Sequence, residues 1–321
     1  MRSTAWAMAA VVVLDLAIHG QRRAEPVDRS LIDARPKAAD EVRPGERSLV
    51  LLSRGIWASQ LPGNVAEARK WIVENDLLEP DRGLCFSVRD LGGYTPLVPR
   101  RMLEFLRVAV KRPELLARAS VSRVVTGPIA PGTPRLPEPL TTRSETPTHV
   151  IYELGALSRV RTVFFASWAD DDLRALETTP PTRAVTDDPG LASELEHNLP
   201  SPYHGLGAGP RIEVDDDEYV EIAAHCPEED TAGAIVVLAD AWYPGWIAEV
   251  DDKRAEVLRV DHALRGVRVP PGDHRVRLRY EPASFRLGKR MSLATAALWA
   301  VVLALALLRP RAPGAAAPPA P

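Results

Sequence analysis

The residues best suited to chemistry cluster late in the chain, where Asp240, Trp242, Tyr243 and Trp246 fall within seven positions. Aromatic faces stack on pyranose rings and a nearby carboxylate accepts hydrogen bonds from sugar hydroxyls, so this grouping has the make-up of a glycan-binding patch. The same residues fit a structural role, in which Pro244 and Gly245 set a tight turn and the aromatics close one end of a core. Asp215, Asp216, Asp217 and Glu218 are consecutive, so their carboxylates diverge, and no spaced calcium loop is present; a solvated acidic turn is expected. His197, His204, His225 and Cys226 lack paired zinc-ligand spacing. The glycines of 205–209 follow no strand and open no helix, which excludes a phosphate loop, and there is no G-x-S-x-G. Arg89 and Asp90, just before Gly92, Gly93 and Tyr94, suit either a phosphate-lipid headgroup or an internal pair holding a turn. No catalytic residue, metal site or cofactor is expected.

The elements that must position these residues are mostly strands. From Arg211 onward the hydrophobic period becomes two, and six strand candidates separated by short turns fill 211–283, which reads as a β-sandwich-like domain. Its clearest alternation is in the last strand, where Val276, Leu278 and Tyr280 face one way and Arg275, Arg277 and Arg279 the other. Upstream, 48–170 reads as an α/β subdomain. It holds a buried strand at 48–52, a helix at 65–75 capped by Asn64, and a helix at 100–111 started by Pro99 with Met102, Phe105, Leu106 and Ala109 on one face. A strand at 120–127, a Pro-rich loop at 129–147, and a hairpin of strands at 149–155 and 160–167 complete it. Residues 171–210 suggest short polar helices or a surface loop, with Asp170, Asp171 and Asp172 favouring a helix start.

Composition bounds the class. The 321 residues carry 40 Lys+Arg against 43 Asp+Glu, a net charge of -3, so nothing points to nucleic acid as a partner. Proline, at 30 residues against 20 glycines, opposes long unbroken soluble helices. Two apolar segments stand apart. Residues 291–308 contain no charge and are flanked by Lys289, Arg290, Arg309 and Arg311, as in a spanning helix with snorkelling ends. Residues 4–19 are shorter than the roughly 20 a span needs, and fit a membrane helix, a signal-like segment or a buried helix. Residues 20–47 read as a linker and 309–321 as a disordered Pro/Ala tail. Cys85 and Cys226 fit either a disulfide or two separate thiols.

Across 241–288 the chain resembles the C-terminal region of the bacterial YfhO-type membrane proteins. The resemblance is carried by the Tyr243-Pro244-Gly245-Trp246 turn, by a strand ending in an acidic hairpin, and by the spaced pattern from Leu264 to Gly288 that leads straight into an apolar helix. The stretch 84–106, with its Gly-Gly-Tyr turn before an Arg-rich helix start, resembles a second family segment. The chain departs from the pattern at Asp251-Asp252-Lys253, where a glycine would be usual, and at 157–160, which lacks a proline. The resemblance implies an extracytoplasmic α/β subdomain plus β-sandwich-like domain between two transmembrane helices, a fold of α+β and all-β class. It also implies a multi-pass cell-membrane location with the large loop outside the cytoplasm. The activity implied is that of C-type glycosyltransferases using a lipid-phosphate-linked sugar in cell-envelope glycan modification. The expected partners are the lipid bilayer, a lipid-linked sugar or envelope glycan, and a helical membrane bundle encoded upstream that carries the catalytic acid. A non-catalytic, membrane-anchored glycan- or partner-binding protein is the alternative.

Overall fold

The structure is a computed structural model that describes residues 35–51, 88–91, 99–146, 149–198 and 209–308, apart from residues 44, 128, 130, 131 and 133. The apolar segment 4–19, most of the linker, the helix expected at 65–75, Cys85, the Gly92-Gly93-Tyr94 turn, His204, most of the 205–209 glycine run and the tail 309–321 lie outside the described residues.

The first part comprises α1 (Lys37–Asp40), β1 (Arg47–Leu51), β2 (Arg89–Asp90), α2 (Arg100–Ala109), α3 (Glu114–Arg118), β3 (Val121–Thr126), β4 (Thr141–Glu145) and β5 (Val150–Glu153). Its sheet runs β2-β1-β3-β5-β4, with the first three strands parallel and the last two antiparallel. As expected, Pro99 precedes α2, whose Met102, Phe105 and Ala109 are buried. Leu49, Val124, Val150 and Tyr152 join the core that includes α2 and α3, while Val50, Val125 and Ile151 pack with Ala38, Ala39 and Val42. Both faces are therefore covered, which is why Val150, Ile151 and Tyr152 are all buried instead of alternating. The stretch read as Pro-rich loop contains β4, an exposed strand at the sheet edge whose Thr-Thr-Arg-Ser-Glu sequence has no apolar period to announce it.

Next come β6 (Val160–Val163), β7 (Phe165–Trp168), α4 (Asp172–Ala175), β8 (Arg183–Thr186) and α5 (Pro189–Leu195). The expected hairpin of 160–167 with β5 does not form. Phe164 and Phe165, though consecutive, both pack toward the same core, so the strand breaks there; β6 pairs with a later strand and β7 runs parallel to β8. Asp171 caps α4 by accepting from Arg174 N, and Asp188 caps α5 by accepting from Gly190 N and Leu191 N.

The remaining strands are β9 (Arg211–Asp215), β10 (Tyr219–Cys226), β11 (Ala234–Ala241), β12 (Trp246–Val250), β13 (Lys253–Ala255), β14 (Leu258–Val260), β15 (Leu264–Val269) and β16 (Gly272–Tyr280). Eight strands replace six candidates because 211–226 folds back at its acidic turn and a short strand follows Asp252. They form two sheets, β13-β12-β16-β10-β9 and β6-β11-β15-β14-β8-β7. Val220, Ile222, Val276 and Leu278 of one sheet meet Val236, Leu238, Val267 and Val269 of the other, giving the sandwich core. Ile235, Val237 and Ala239 face the opposite way, into the core shared with α2 and α3. The six-stranded sheet is thus a middle layer, and Ala234–Ala239 is buried throughout. Fully burying a side chain such as Ile235 contributes about 1.5–3 kcal/mol. The protein is mixed α+β and mostly β. Its last strand is followed, after Glu281 and Pro282, by α6 (Ala283–Leu308), whose residues 283–305 are long and apolar enough to cross a membrane and are not buried.

Candidate functional site

At one end of the sandwich β11 ends, β12 and β15 begin, and β16 ends before α6. The Tyr243-Pro244-Gly245-Trp246 turn closes this end. Gly245 has φ 113°, and a Cβ there would lie 2.8 Å from the Tyr280 ring and 3.2 Å from Pro282, so only glycine fits. Its carbonyl accepts from Glu281 N at 2.7 Å, tying the turn to the root of α6. Trp246 pairs directly across the sheet with Tyr280. Their ring centroids are 5.4 Å apart, and Tyr243 meets Tyr280 edge-on at 5.3 Å and Trp246 at 6.2 Å. The Arg265 guanidinium lies 3.9 Å from the Trp246 ring centroid, a cation–π contact between the two sheets.

Behind this aromatic group sits Asp240, at an irregularity in the β11–β15 pairing. Arg159 grips its carboxylate with two bonds, Nε to Oδ1 at 3.1 Å and Nη2 to Oδ2 at 2.7 Å. Arg265 Nη2 reaches Oδ2 at 3.1 Å, and Arg47 Nη2 donates to Oδ1. Arg159 also bonds Asp215 at 2.7 Å, and Arg89 donates to the same Asp215 carboxylate. Burial alone would raise the Asp240 pKa, but Arg47, Arg159 and Arg265 hold it well below the usual carboxylate range. Burial likewise disfavours the charged form of Arg159, yet Asp240 and Asp215 outweigh it and raise its pKa. Asp240 is therefore a fixed counter-ion, and its oxygens are taken by arginines instead of being offered to a sugar hydroxyl or a proton. Four guanidinium groups face two carboxylates, and Arg265, 6% exposed in its side chain, keeps Nε and Nη1 without a hydrogen-bond partner among the described residues. With four guanidiniums against two carboxylates the site favours negative charge, and among the described residues its buried carboxylate, Asp240, is not free to move a proton.

The structure brings Asp240, Tyr243 and Trp246 together through Arg265, but not Trp242. That side chain turns the other way: its Nε1 donates to Val257 O at 3.0 Å, its amide donates to Ala263 O at 2.7 Å, and Arg259 lies 5.6 Å from its ring. Arg47, Arg159, Arg265 and Tyr280 were missed in the sequence. Arg265 did leave a trace, a cation at the inward parity of a strand whose Val267 and Val269 are core.

Other candidates do not converge. Asp215 belongs to the arginine network, and Asp216 and Asp217 are exposed. Arg89 reaches Asp215, while Asp90 accepts from Val50 N at 3.1 Å. His225 pairs with Asp273, and His197 with carbonyls of its own helix end. Cys226 is a free, buried thiol whose pKa is pushed up to about 12 by burial and by Asp230, Glu228 and Glu229, so it is not reactive. Among the described residues no group of His, Cys, Asp and Glu is arranged to hold a metal. Two further polar clusters were not foreseen. His262 is held by Asp172 at 2.7 Å with Glu104 at 3.5 Å, and Asp261 accepts from Arg118, Arg161 and Val185 N. No family model, no curated protein and no solved structure matches this chain.

Proposed function

We propose that this chain is the membrane-anchored, β-rich part of a YfhO-like protein that works with a glycosyltransferase-type helical bundle in cell-envelope glycan modification. The observation that carries this reading is convergence: Tyr243, Gly245 and Trp246, which carry the resemblance, meet Tyr280 and Pro282 in one cluster at the root of α6. An aromatic turn joined to an arginine network that reaches solvent through Arg89 suits a saccharide attached to an anionic group, and a site next to a membrane helix suits a lipid-linked one. In this reading α6 spans the bilayer, the sandwich lies outside the cytoplasm, and the catalytic acid belongs to the bundle. Asp240 acts as a positioning residue through Arg265, and Trp242 holds the fold.

The locking of Asp240 favours the second reading for this chain by itself, a non-catalytic glycan- or partner-binding protein, since nothing in the cluster is placed for acid-base work. Both readings are tested by deleting the gene and analysing the saccharide substitution of envelope polymers. Loss restored by the wild-type chain but not by Trp246→Ala supports the glycan role. An unchanged envelope sinks it. Protease cleavage of the sandwich in intact cells is expected, and protection there with cleavage in inverted vesicles would overturn the placement.

A further inference from the structure

The first turns of α6 carry Arg286, Lys289 and Arg290 at i, i+3 and i+4, so the three cations share one face of an exposed helix. No ion pair joins any of them to another described residue, and the first turn of α6 holds no acid. The strand just before the helix is different: Arg275, Arg277 and Arg279 of β16 are matched by Glu221, Asp252 and Glu249. Like charges at helical spacing repel one another, so this face asks for an anion from outside the chain. The uncharged run 291–308 begins directly after Arg290. If that run fills the hydrocarbon, Arg286 stands about 6 Å further along the axis than Arg290, within the roughly 5–8 Å of one headgroup layer.

We infer that this cationic face of α6 binds the phosphate groups of net-negative phospholipids in the leaflet facing the folded part. The inference rests on the reading of α6 as a span. Since only Glu281 and Pro282 separate β16 from α6, lipids gathered at this face lie directly under the aromatic turn.

The full chain in mixed phosphatidylcholine and phosphatidylglycerol bilayers tests this with spin-labelled forms of each lipid. The chain is expected to prefer phosphatidylglycerol. The preference should fall by up to about fivefold for each cation neutralised in Arg286→Gln, Lys289→Gln and Arg290→Gln, and should weaken in high salt. Glutamine keeps the helix propensity, so the variants report charge and not folding. Equal association of the two lipids, or an undiminished preference in the triple variant, would overturn the proposal. Displacement of phosphatidylglycerol by inorganic phosphate at constant ionic strength would overturn the lipid as occupant. If neither labelled lipid becomes motionally restricted, the span itself fails, a result distinct from a span without headgroup preference.

Discussion

Asp240 and Asp261 each lie between arginines drawn from distant parts of the chain, yet they serve different ends. Asp261 is 1% exposed in its side chain and takes Arg118 at 3.2 Å, Arg161 at 2.7 Å and Val185 N at 2.9 Å. Its two arginines direct other donors onto backbone carbonyls, Arg118 to Arg183 O and Thr179 O, and Arg161 to Arg118 O. The result is a sealed knot that joins α3, β6, β8 and the turn before β15. Asp240 draws on Arg47, Arg159 and Arg265, but there Arg159 also pairs with Asp215, which in turn holds Arg89, and Arg89, 39% exposed, carries the network out to solvent. One pairing chemistry closes a core in the first case. In the second it holds positive charge ready beside aromatic rings.

Asp261→Asn should break that comparison on its sealed side with the largest effect. The asparagine tolerates the left-handed backbone at φ 48° but leaves two buried guanidiniums without their counter-ion, a loss of about 3–5 kcal/mol. Denaturant unfolding of the variant measures it, and a change near zero would mean that the knot is not what joins these elements. Asp240→Asn should cost less, about 2–3 kcal/mol, since Asp215 still pairs with Arg159 and the Asp240 side chain is 11% exposed against 1% for Asp261. Sulfate sharpens the contrast. It stabilises both variants through its general exclusion from protein surface, but an anion can enter only the open cluster, so the melting temperature should rise more for Asp240→Asn than for Asp261→Asn. Equal rises would show that the open cluster does not accept anions.

The same contrast explains what could be read in the sequence. The alternation of Val276 and Leu278 with arginines placed β16 correctly, and Pro99 with the spacing of Met102, Phe105 and Ala109 placed α2, because local period and local caps decide those elements. β4 stayed hidden because an exposed edge strand needs no apolar side chains. The pairing of β6 was misread because it depends on β11, more than 70 residues away, and not on the neighbouring β5. In the site, the Tyr-Pro-Gly-Trp turn was legible as a turn and as an aromatic group. Arg47 was not, since it meets Asp240 across 193 positions, and no spacing rule reaches that far. The opposite orientations of Trp242 and Trp246 were hidden for a related reason: the turn between them reverses the chain from one sheet to the other.

A smaller loss, about 1–3 kcal/mol, is expected for Gly245→Ala, which forces a Cβ against Tyr280 and Pro282 at a backbone angle that L-residues rarely adopt. The variant should also redshift the tryptophan emission as the aromatic group around Trp246 opens, while the Asp261 knot keeps its amide-exchange protection. If protection is lost at both, the two regions are one cooperative unit and the comparison fails.

The smallest effect lies at the far end of β12 and β16, where Asp251 and Asp252 make the hairpin turn with φ 49° and 65°. Side-chain bonding replaces the glycine this turn would otherwise favour, since the Asp251 carboxylate accepts from Arg275 N at 2.9 Å and pairs with His274 Nδ1 at 2.6 Å. Partial burial disfavours the His274 imidazolium, but Asp251 and the Pro271 carbonyl outweigh it and raise the pKa above 6.5. The Arg275 amide and then His274 lower the Asp251 pKa below 3.8. The imidazolium is thus bound more tightly in the folded chain. Its contribution is complete below pH 6.5 and is lost as pH rises through the raised value. The Asp251 contribution is present above pH 3.8 and is lost as pH falls through the lowered value. With Asp251 47% exposed, screening limits the pair to about 0.5 kcal/mol. His274→Gln should therefore lag the wild type in denaturation midpoint between these limits and match it in alkaline buffer. A gap that persists at alkaline pH would mean that the ring packs here and does not act through its charge.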